Sequence, residues 1–195
     1  MKTETKNRKQ FLRLTLGLLV LWTTAAYAAD VSVFGLKLGQ PLPMPECERS
    51  ARGDYAEMTR QTCFQSKFRG GRISIKFPYE QKPQIVAGDT IYCIVVDGIL
   101  EGIQFETHGI SLANRVLTEL TNKYGKPLLV QRPIIQNRMG AQFDSVDAVW
   151  HLPNLRVSFY GVMHRLDSGM VYIHTLKGDA ENRRMETLSR DPKPL

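Results

Sequence analysis

Residues 90–107 decide the fold of this chain, and they have the sequence TIYCIVVDGILEGIQFET. Two apolar runs, 90–96 and 99–107, flank Asp97-Gly98, and this dipeptide favours the tight turn of a β-hairpin. The first run is apolar at nearly every position, which is typical of a strand that is buried on both faces. The segment therefore predicts a hairpin near the centre of a sheet.

Shorter strand patterns lie on both sides of this segment. Upstream, residues 63–68 and 72–77 alternate polar and apolar side chains around Gly70-Gly71, the composition that a tight turn requires. Downstream, the same alternation predicts a three-stranded meander at 147–152, 155–160 and 169–175. A short strand is also predicted at 128–131.

One helix is predicted at 111–124. Ser111 can cap its first turn with its hydroxyl group. An apolar stripe recurs at helical spacing at Leu112, Val116, Leu120 and Tyr124. The pattern ends at Gly125, a residue that commonly terminates helices.

These patterns predict an α+β fold, in which an antiparallel sheet of hairpins and a meander is covered by one main helix. A parallel sheet is not expected, because alternating strand and helix units would need several helices. The sheet is either a single unit or two duplicated halves, and the sequence does not distinguish these arrangements. The halves would begin near 35–42 and near 123–127. Apolar residues are sparse from Lys177, so residues 177–195 are predicted to be a frayed helix or a polar tail after one domain at 29–176.

The first 28 residues have the three-part pattern of a secretory signal peptide. Five basic residues precede an apolar core at 14–21, and Ala26-Tyr27-Ala28 has the form of a cleavage site. The apolar core is shorter than the roughly 20 residues that a membrane-spanning helix needs. We therefore expect a periplasmic or secreted protein, residues 29–195, that is not transmembrane after cleavage.

Removal of this segment also changes the charge of the protein. The full chain carries 26 Lys and Arg against 19 Asp and Glu, a net charge of +7. Residues 1–28 hold 5 of the basic residues and 1 acidic residue, which leaves 21 against 18, or +3. Since the predicted signal carries most of the excess, and since export separates the protein from nucleic acid, no nucleic-acid partner is expected.

Three cysteines are present in a chain that is expected in an oxidising compartment. Cys47 and Cys63 bracket a poorly patterned loop near 40–63, and a disulfide between them would contribute about 3 kcal/mol. We predict this pair, although the sequence alone allows three pairings. Cys93 lies within an apolar strand and is predicted to be a buried, unreactive thiol.

Motifs for catalysis or cofactor binding are absent from the sequence. There is no Walker phosphate loop, no GxGxxG, no HExxH, no GxSxG and no CxxC. No cofactor is therefore predicted, and a non-catalytic protein is favoured. The alternative is a small metal-dependent hydrolase in which His151 and His174 approach each other, with Asp147 or Asp167 orienting one of the rings.

A basic cluster surrounds the turn of the first predicted hairpin. Lys67, Arg69 and Arg72 lie close together around Gly70-Gly71. Such residues bind an anionic surface, for example lipid head groups or an acidic protein face, or they form a solvated tip that protects a sheet edge. Both interpretations remain open, and the three residues are candidate binding residues.

The pattern at 111–175 resembles small bacterial envelope domains. Its helix ends in the sequence YGKP at 124–127, and after a gap a strand that contains Trp150 is followed by two further strands. Domains of this kind occur in the outer-membrane assembly lipoprotein BamE and in the β-lactamase inhibitor protein. The chain departs from the lipoprotein because no lipid-bearing cysteine follows its apolar core. The resemblance implies a binding module.

We therefore predict an exported, non-catalytic binding or accessory module that contacts a protein or an envelope component. An inhibitor or immunity protein directed at a periplasmic enzyme is a narrower form of this prediction. The metal-dependent hydrolase is the alternative from a different class.

Overall fold

The computed structural model describes residues 32–56, 59–66 and 72–190, which contain twelve strands and two α-helices. The strands, in chain order, are β1 Ser32–Val33, β2 Leu36–Lys37, β3 Cys63–Gln65, β4 Ile73–Lys76, β5 Thr90–Val96, β6 Ile99–Thr107, β7 Leu129–Gln131, β8 Ile134–Gln136, β9 Gln142–Asp144, β10 Asp147–Leu152, β11 Leu155–Arg165 and β12 Ser168–Thr175. The helices are α1 Ala113–Tyr124 and α2 Leu176–Arg190. The predicted α+β class is confirmed.

Eight of the strands form one antiparallel sheet in the order β3-β4-β5-β6-β12-β11-β10-β7. Each half of this order is a four-stranded unit, and the two units meet where β6 pairs antiparallel with β12. A helix follows each unit, α1 after β6 and α2 after β12. This topology is compatible with the duplicated organisation that the sequence left open.

The predicted central hairpin is confirmed by β5 and β6. These strands are third and fourth in the eight-stranded order, and Tyr92 lies opposite Gln104. Both turn residues have a positive φ, 52° at Asp97 and 79° at Gly98. A type I′ turn requires this geometry at both central positions, which is why an Asp-Gly pair is suited to it.

The predicted disulfide between Cys47 and Cys63 is present. It holds the preceding loop against the outer side of β3, where the Cys47 amide donates a hydrogen bond to the Phe64 carbonyl at 2.8 Å. Within the loop, the Tyr55 hydroxyl donates to the Glu46 carboxylate at 2.5 Å, and this bond is the main reason that the pKa of Glu46 falls to about 2. The loop therefore covers one edge of the eight-stranded sheet.

Helix α1 packs on the face of the sheet that carries the hydrophobic core. Its residues Ala113, Val116 and Leu120 are buried there. The Trp150 indole, also in this core, donates a hydrogen bond to the carbonyl oxygen of Gly125 at 2.8 Å. The apolar stripe and the end of the predicted helix are therefore confirmed.

The predicted helix cap is wrong. Ser111 lies in a 3₁₀ turn before the helix, and its hydroxyl donates to the His108 carbonyl at 2.7 Å. The α-helix begins at Ala113, and no side chain caps it. The chain forms a 3₁₀ turn where the sequence pattern places the start of the α-helix, and the serine hydroxyl makes its hydrogen bond within this turn.

The segment predicted to be a frayed helix or a polar tail forms α2, which packs on the face opposite α1. Gln104 of β6 faces away from the core, and its side-chain amide donates to Asn182 of α2 at 2.9 Å. Gly178 lies so close to β6 that an added Cβ atom would be 2.0 Å from the Glu101 carbonyl oxygen. The domain thus continues beyond the predicted boundary at residue 176. The contacts that hold α2 on the sheet are polar, so no apolar stripe in the sequence indicates them.

Candidate functional site

The exposed apolar side chains are concentrated in one segment of the chain. Among the described residues eight large apolar side chains are exposed, and five of them lie between residues 128 and 139. They are Leu128, Leu129, Val130, Ile134 and Met139, of which Met139 is 93% exposed. Clustered exposed apolar residues mark interaction surfaces, whereas single ones are ordinary. We refer to residues 126–144 as the arm.

The arm continues the ladder between β7 and β10. Gln131 of β7 lies opposite Asp147 of β10, and Ile134 of β8 lies opposite Asp144 of β9. The register is thus the same on both sides of Pro133, whose missing amide hydrogen interrupts the strand. One long hairpin therefore extends from the edge of the sheet to a separate tip.

Asn137 holds the tip of the arm in place. Its side-chain oxygen accepts hydrogen bonds from the Met139 amide at 3.0 Å and from the Ala141 amide at 2.9 Å. Gly140 has a φ of 85°, a conformation that other L-residues adopt only with strain. The turn therefore presents the Met139 side chain to solvent in a defined position.

The arm is basic as well as apolar. It carries Lys126, Arg132 and Arg138, all exposed, against the single acidic residue Asp144, a net charge of +2. None of the ion pairs found in the described part of the chain includes these three basic residues. Arg132 donates a long hydrogen bond, 3.4 Å, to the Asn114 side chain of α1. Positive charge on this surface is therefore available to an acidic partner.

The two edges of the eight-stranded sheet differ. The stapled loop bridges the outer side of β3. At the other edge, β7 pairs with β10 alone among the described strands, and all three of its residues are exposed. An open apolar edge is a template on which a further strand can pair.

The face under α2 carries a buried polar network. The Gln104 side-chain amide donates to Nε2 of His174 at 3.0 Å, in addition to Asn182. Arg72 donates to the same Asn182 oxygen at 2.9 Å, and the Asn182 amide donates to Glu186 at 2.8 Å. Burial lowers the pKa of His174 to about 4, so the ring is neutral at pH 7. The network fixes α2 on the sheet.

One of the three candidate residues for an anionic contact is therefore engaged by the fold. Arg72 is half-buried against Asn182, and its Nε atom is buried without a hydrogen bond. Lys67 and Arg69 lie outside the described residues, as does the predicted turn between them and Arg72. The anionic contact through Lys67, Arg69 and Arg72 remains a prediction.

The two histidines of the hydrolase alternative share a face but are not adjacent. His151 and His174 both lie opposite Arg156 of the intervening strand β11, two strand spacings or roughly 10 Å apart. Asp147 accepts a backbone amide hydrogen bond, and Asp167 pairs with a neighbouring arginine. Among the described residues no group of three or more His, Cys, Asp or Glu side chains is placed to hold a metal ion. A cation between the histidines also opposes metal binding there.

Cys93 lies in the core of the sheet. Its side chain is fully buried, and burial raises the pKa of the thiol well above its ordinary value. A thiolate nucleophile is therefore disfavoured at this position.

No protein family matches the chain, and neither a curated protein nor a solved structure matches it. The resemblance of residues 111–175 to small envelope domains thus stays a prediction. Within residues 32–56, 59–66 and 72–190, no helix is both long and apolar enough to cross a membrane. The predicted signal segment, residues 1–28, lies outside the described part.

The sequence pattern predicts the strand at 128–131 but does not mark the arm as a site. The available signal is the apolar triplet at 128–130, which is followed by Gln131 and Arg132 and preceded by Lys126. A short strand that is apolar at successive positions is either buried on both faces or exposed at an edge. Only the order of the strands distinguishes these cases.

Proposed function

We propose that the protein is an exported, non-catalytic binding module that contacts another protein of the cell envelope through the arm. The observation that carries this proposal is the concentration of exposed apolar side chains beside unpaired basic residues at an open sheet edge. Met and Arg, both present on the arm, are enriched in protein interfaces. Export, which places the module in the envelope, rests on the signal pattern in residues 1–28.

The size of the expected effect follows from the exposed side chains. Full burial of a Leu, Ile or Met side chain stabilises a complex by about 1.5–3 kcal/mol. Ile134 and Met139 are 64% and 93% exposed, so both can lose most of their solvent contact in a complex. Removing both anchors should weaken binding by about 100-fold or more, since each tenfold step is about 1.4 kcal/mol.

An inhibitor or immunity protein is the narrower form of this proposal, because such a protein also acts through a surface and needs no catalytic groups. The metal-dependent hydrolase has weaker support. Arg156 lies between His151 and His174, and its positive charge opposes a divalent cation at that place.

The test is capture of a partner from cross-linked envelope, with the exported product of the full-length chain carrying a C-terminal tag. The wild type is compared with the Ile134→Asp, Met139→Ser double variant, and with Leu188→Asp as a matched control on α2, where Leu188 is 63% exposed. We expect one near-stoichiometric protein that the double variant loses and the control retains. Recovery of the tagged protein without a partner contradicts the proposal. Equal recovery of the partner with the wild type, the double variant and the control contradicts it as well.

A further inference from the structure

We infer that β7 accepts a short, extended segment of the partner as a ninth strand, and that this segment carries acidic residues beside its apolar ones. The inference rests on the proposed function, because it names the chemistry of the partner at the same surface. The partner segment pairs with β7 through backbone hydrogen bonds, and not through side-chain contacts alone.

The two sheet edges provide the first argument. Edge strands expose unpaired backbone groups, and proteins usually cover or blunt them. Here the edge at β3 is covered, since Phe64 exchanges backbone hydrogen bonds with the loop on both sides: its amide donates to the Pro45 carbonyl at 3.0 Å, and its carbonyl accepts from Cys47. The edge at β7 has no such cover among the described residues, although Leu129 and Val130 make it apolar.

The extent of β7, Leu129–Gln131, sets the length of the added strand. Beyond β7, the Pro133 carbonyl accepts a hydrogen bond from the Ser145 amide at 2.9 Å, so Pro133 faces the inner strand. A segment with about three paired residues fits, and its remaining contacts must come from side chains beyond the paired stretch.

The positive charge of the arm indicates that the partner's side chains beyond the paired stretch are acidic. Arg132 follows the paired stretch, while Lys126 precedes it and Arg138 lies further along the arm, and none of them belongs to an ion pair found in the described residues. Glu or Asp residues at the ends of the added strand would lie close to Arg132 and Lys126 and would pair with them. A second copy of the chain is disfavoured as the occupant, because two arms of charge +2 would repel each other.

The probe is a synthetic peptide, EETVTVTEE, with both ends blocked. It is titrated into the exported product of the full-length chain, and backbone amide shifts are followed by nuclear magnetic resonance. The comparison peptide KKTVTVTKK keeps the apolar centre and reverses the charge. Two further peptides carry N-methyl groups on either the valines or the threonines of EETVTVTEE. In a paired strand alternate amides face the neighbour, so only one of these two sets should abolish binding.

We expect shifts confined to β7 and the adjoining part of β10, and at least tenfold weaker binding of the lysine peptide. Arg132→Glu should lower the affinity for EETVTVTEE at least tenfold, whereas Arg52→Glu, the same charge change on the exposed stapled loop, should leave it unchanged. Absence of binding, equal effects of the two N-methylated sets, or equal affinity for the acidic and basic peptides each overturns the inference.

The two proposals fail separately. If envelope capture returns a partner that depends on Ile134 and Met139 while the peptide results contradict strand addition, the arm binds through side chains and only the present inference is lost. If capture returns no partner, the proposed function is lost, whatever the peptide does.

Discussion

The Gln104 side-chain amide donates a hydrogen bond to Nε2 of His174 at 3.0 Å, across the pairing of β6 with β12. This contact lies where the two four-stranded units of the sheet meet, beneath α2. Since Nε2 accepts the hydrogen bond, this atom carries no proton, and the imidazole ring is neutral. The junction of the two units therefore depends on the protonation state of His174.

Stability should decrease as the pH falls from about 6.5 to about 4. Burial lowers the pKa of His174 from 6.5 to about 4, and the nearby Arg72 also lowers it, whereas Asp179 opposes the shift. In this pH range the unfolded chain binds a proton at His174 that the folded protein excludes. The free energy of unfolding therefore decreases as the pH decreases, by about 1–3 kcal/mol in total. Urea unfolding at about pH 7, 5.5 and 4 measures this loss.

The control for this prediction is His174→Gln, which keeps a polar side chain but has no titrating ring. Its free energy of unfolding at neutral pH should be lower than that of the wild type, and its change between about pH 6.5 and 4 should be smaller. An identical pH dependence in both proteins would show that His174 is not responsible.

Gly178→Ala should destabilise the protein by about 2–4 kcal/mol. A Cβ atom at this position would lie 2.0 Å from the Glu101 carbonyl oxygen, and backbone atoms of β6 cannot move away without disturbing the sheet. Thermal unfolding measures the effect. Ala180→Gly is the matched control on the same helix, where the exposed side chain should cost only about 1 kcal/mol through helix propensity. Similar losses in both variants would mean that the close approach is unimportant.

Replacement of both Cys47 and Cys63 by Ser should lower the free energy of unfolding by about 2–4 kcal/mol. The bridge closes a loop between residues separated by 16 positions in the sequence, and that loop covers the edge at β3. We expect faster amide exchange in the loop and at Phe64, because their backbone pairing is no longer held. Unchanged exchange there, with the same midpoint in urea, would argue against the edge-covering role.

Cys93 should resist iodoacetamide in the native protein and react only after unfolding, because its side chain is fully buried and burial raises the pKa of the thiol. Mass spectrometry of the labelled protein gives the result. Asn122→Cys, at an exposed position of α1, is the positive control and should label under the same conditions. Labelling of Cys93 at a similar rate would place it in an accessible site instead.

The sequence by itself determined the features that depend on neighbouring residues. The Asp97-Gly98 turn has both positive φ values that its composition indicates, and the helix pattern ends at Gly125 as expected. The disulfide confirms the predicted pairing of Cys47 with Cys63, which bracket the segment with the poorest pattern. Each of these features is decided within a short stretch of chain, where the local conformational preference is strong.

Only the tertiary structure decided the features that join distant segments. The pairing of β6 with β12 has no local signal, and the polar contacts of Asn182 that hold α2 on the sheet replace the apolar stripe that would have predicted them. Likewise, the apolar residues 128–130 have the same pattern in a buried strand and in an edge strand. Their exposure follows from the position of β7 at the end of the strand order, which long-range pairing of the whole sheet determines.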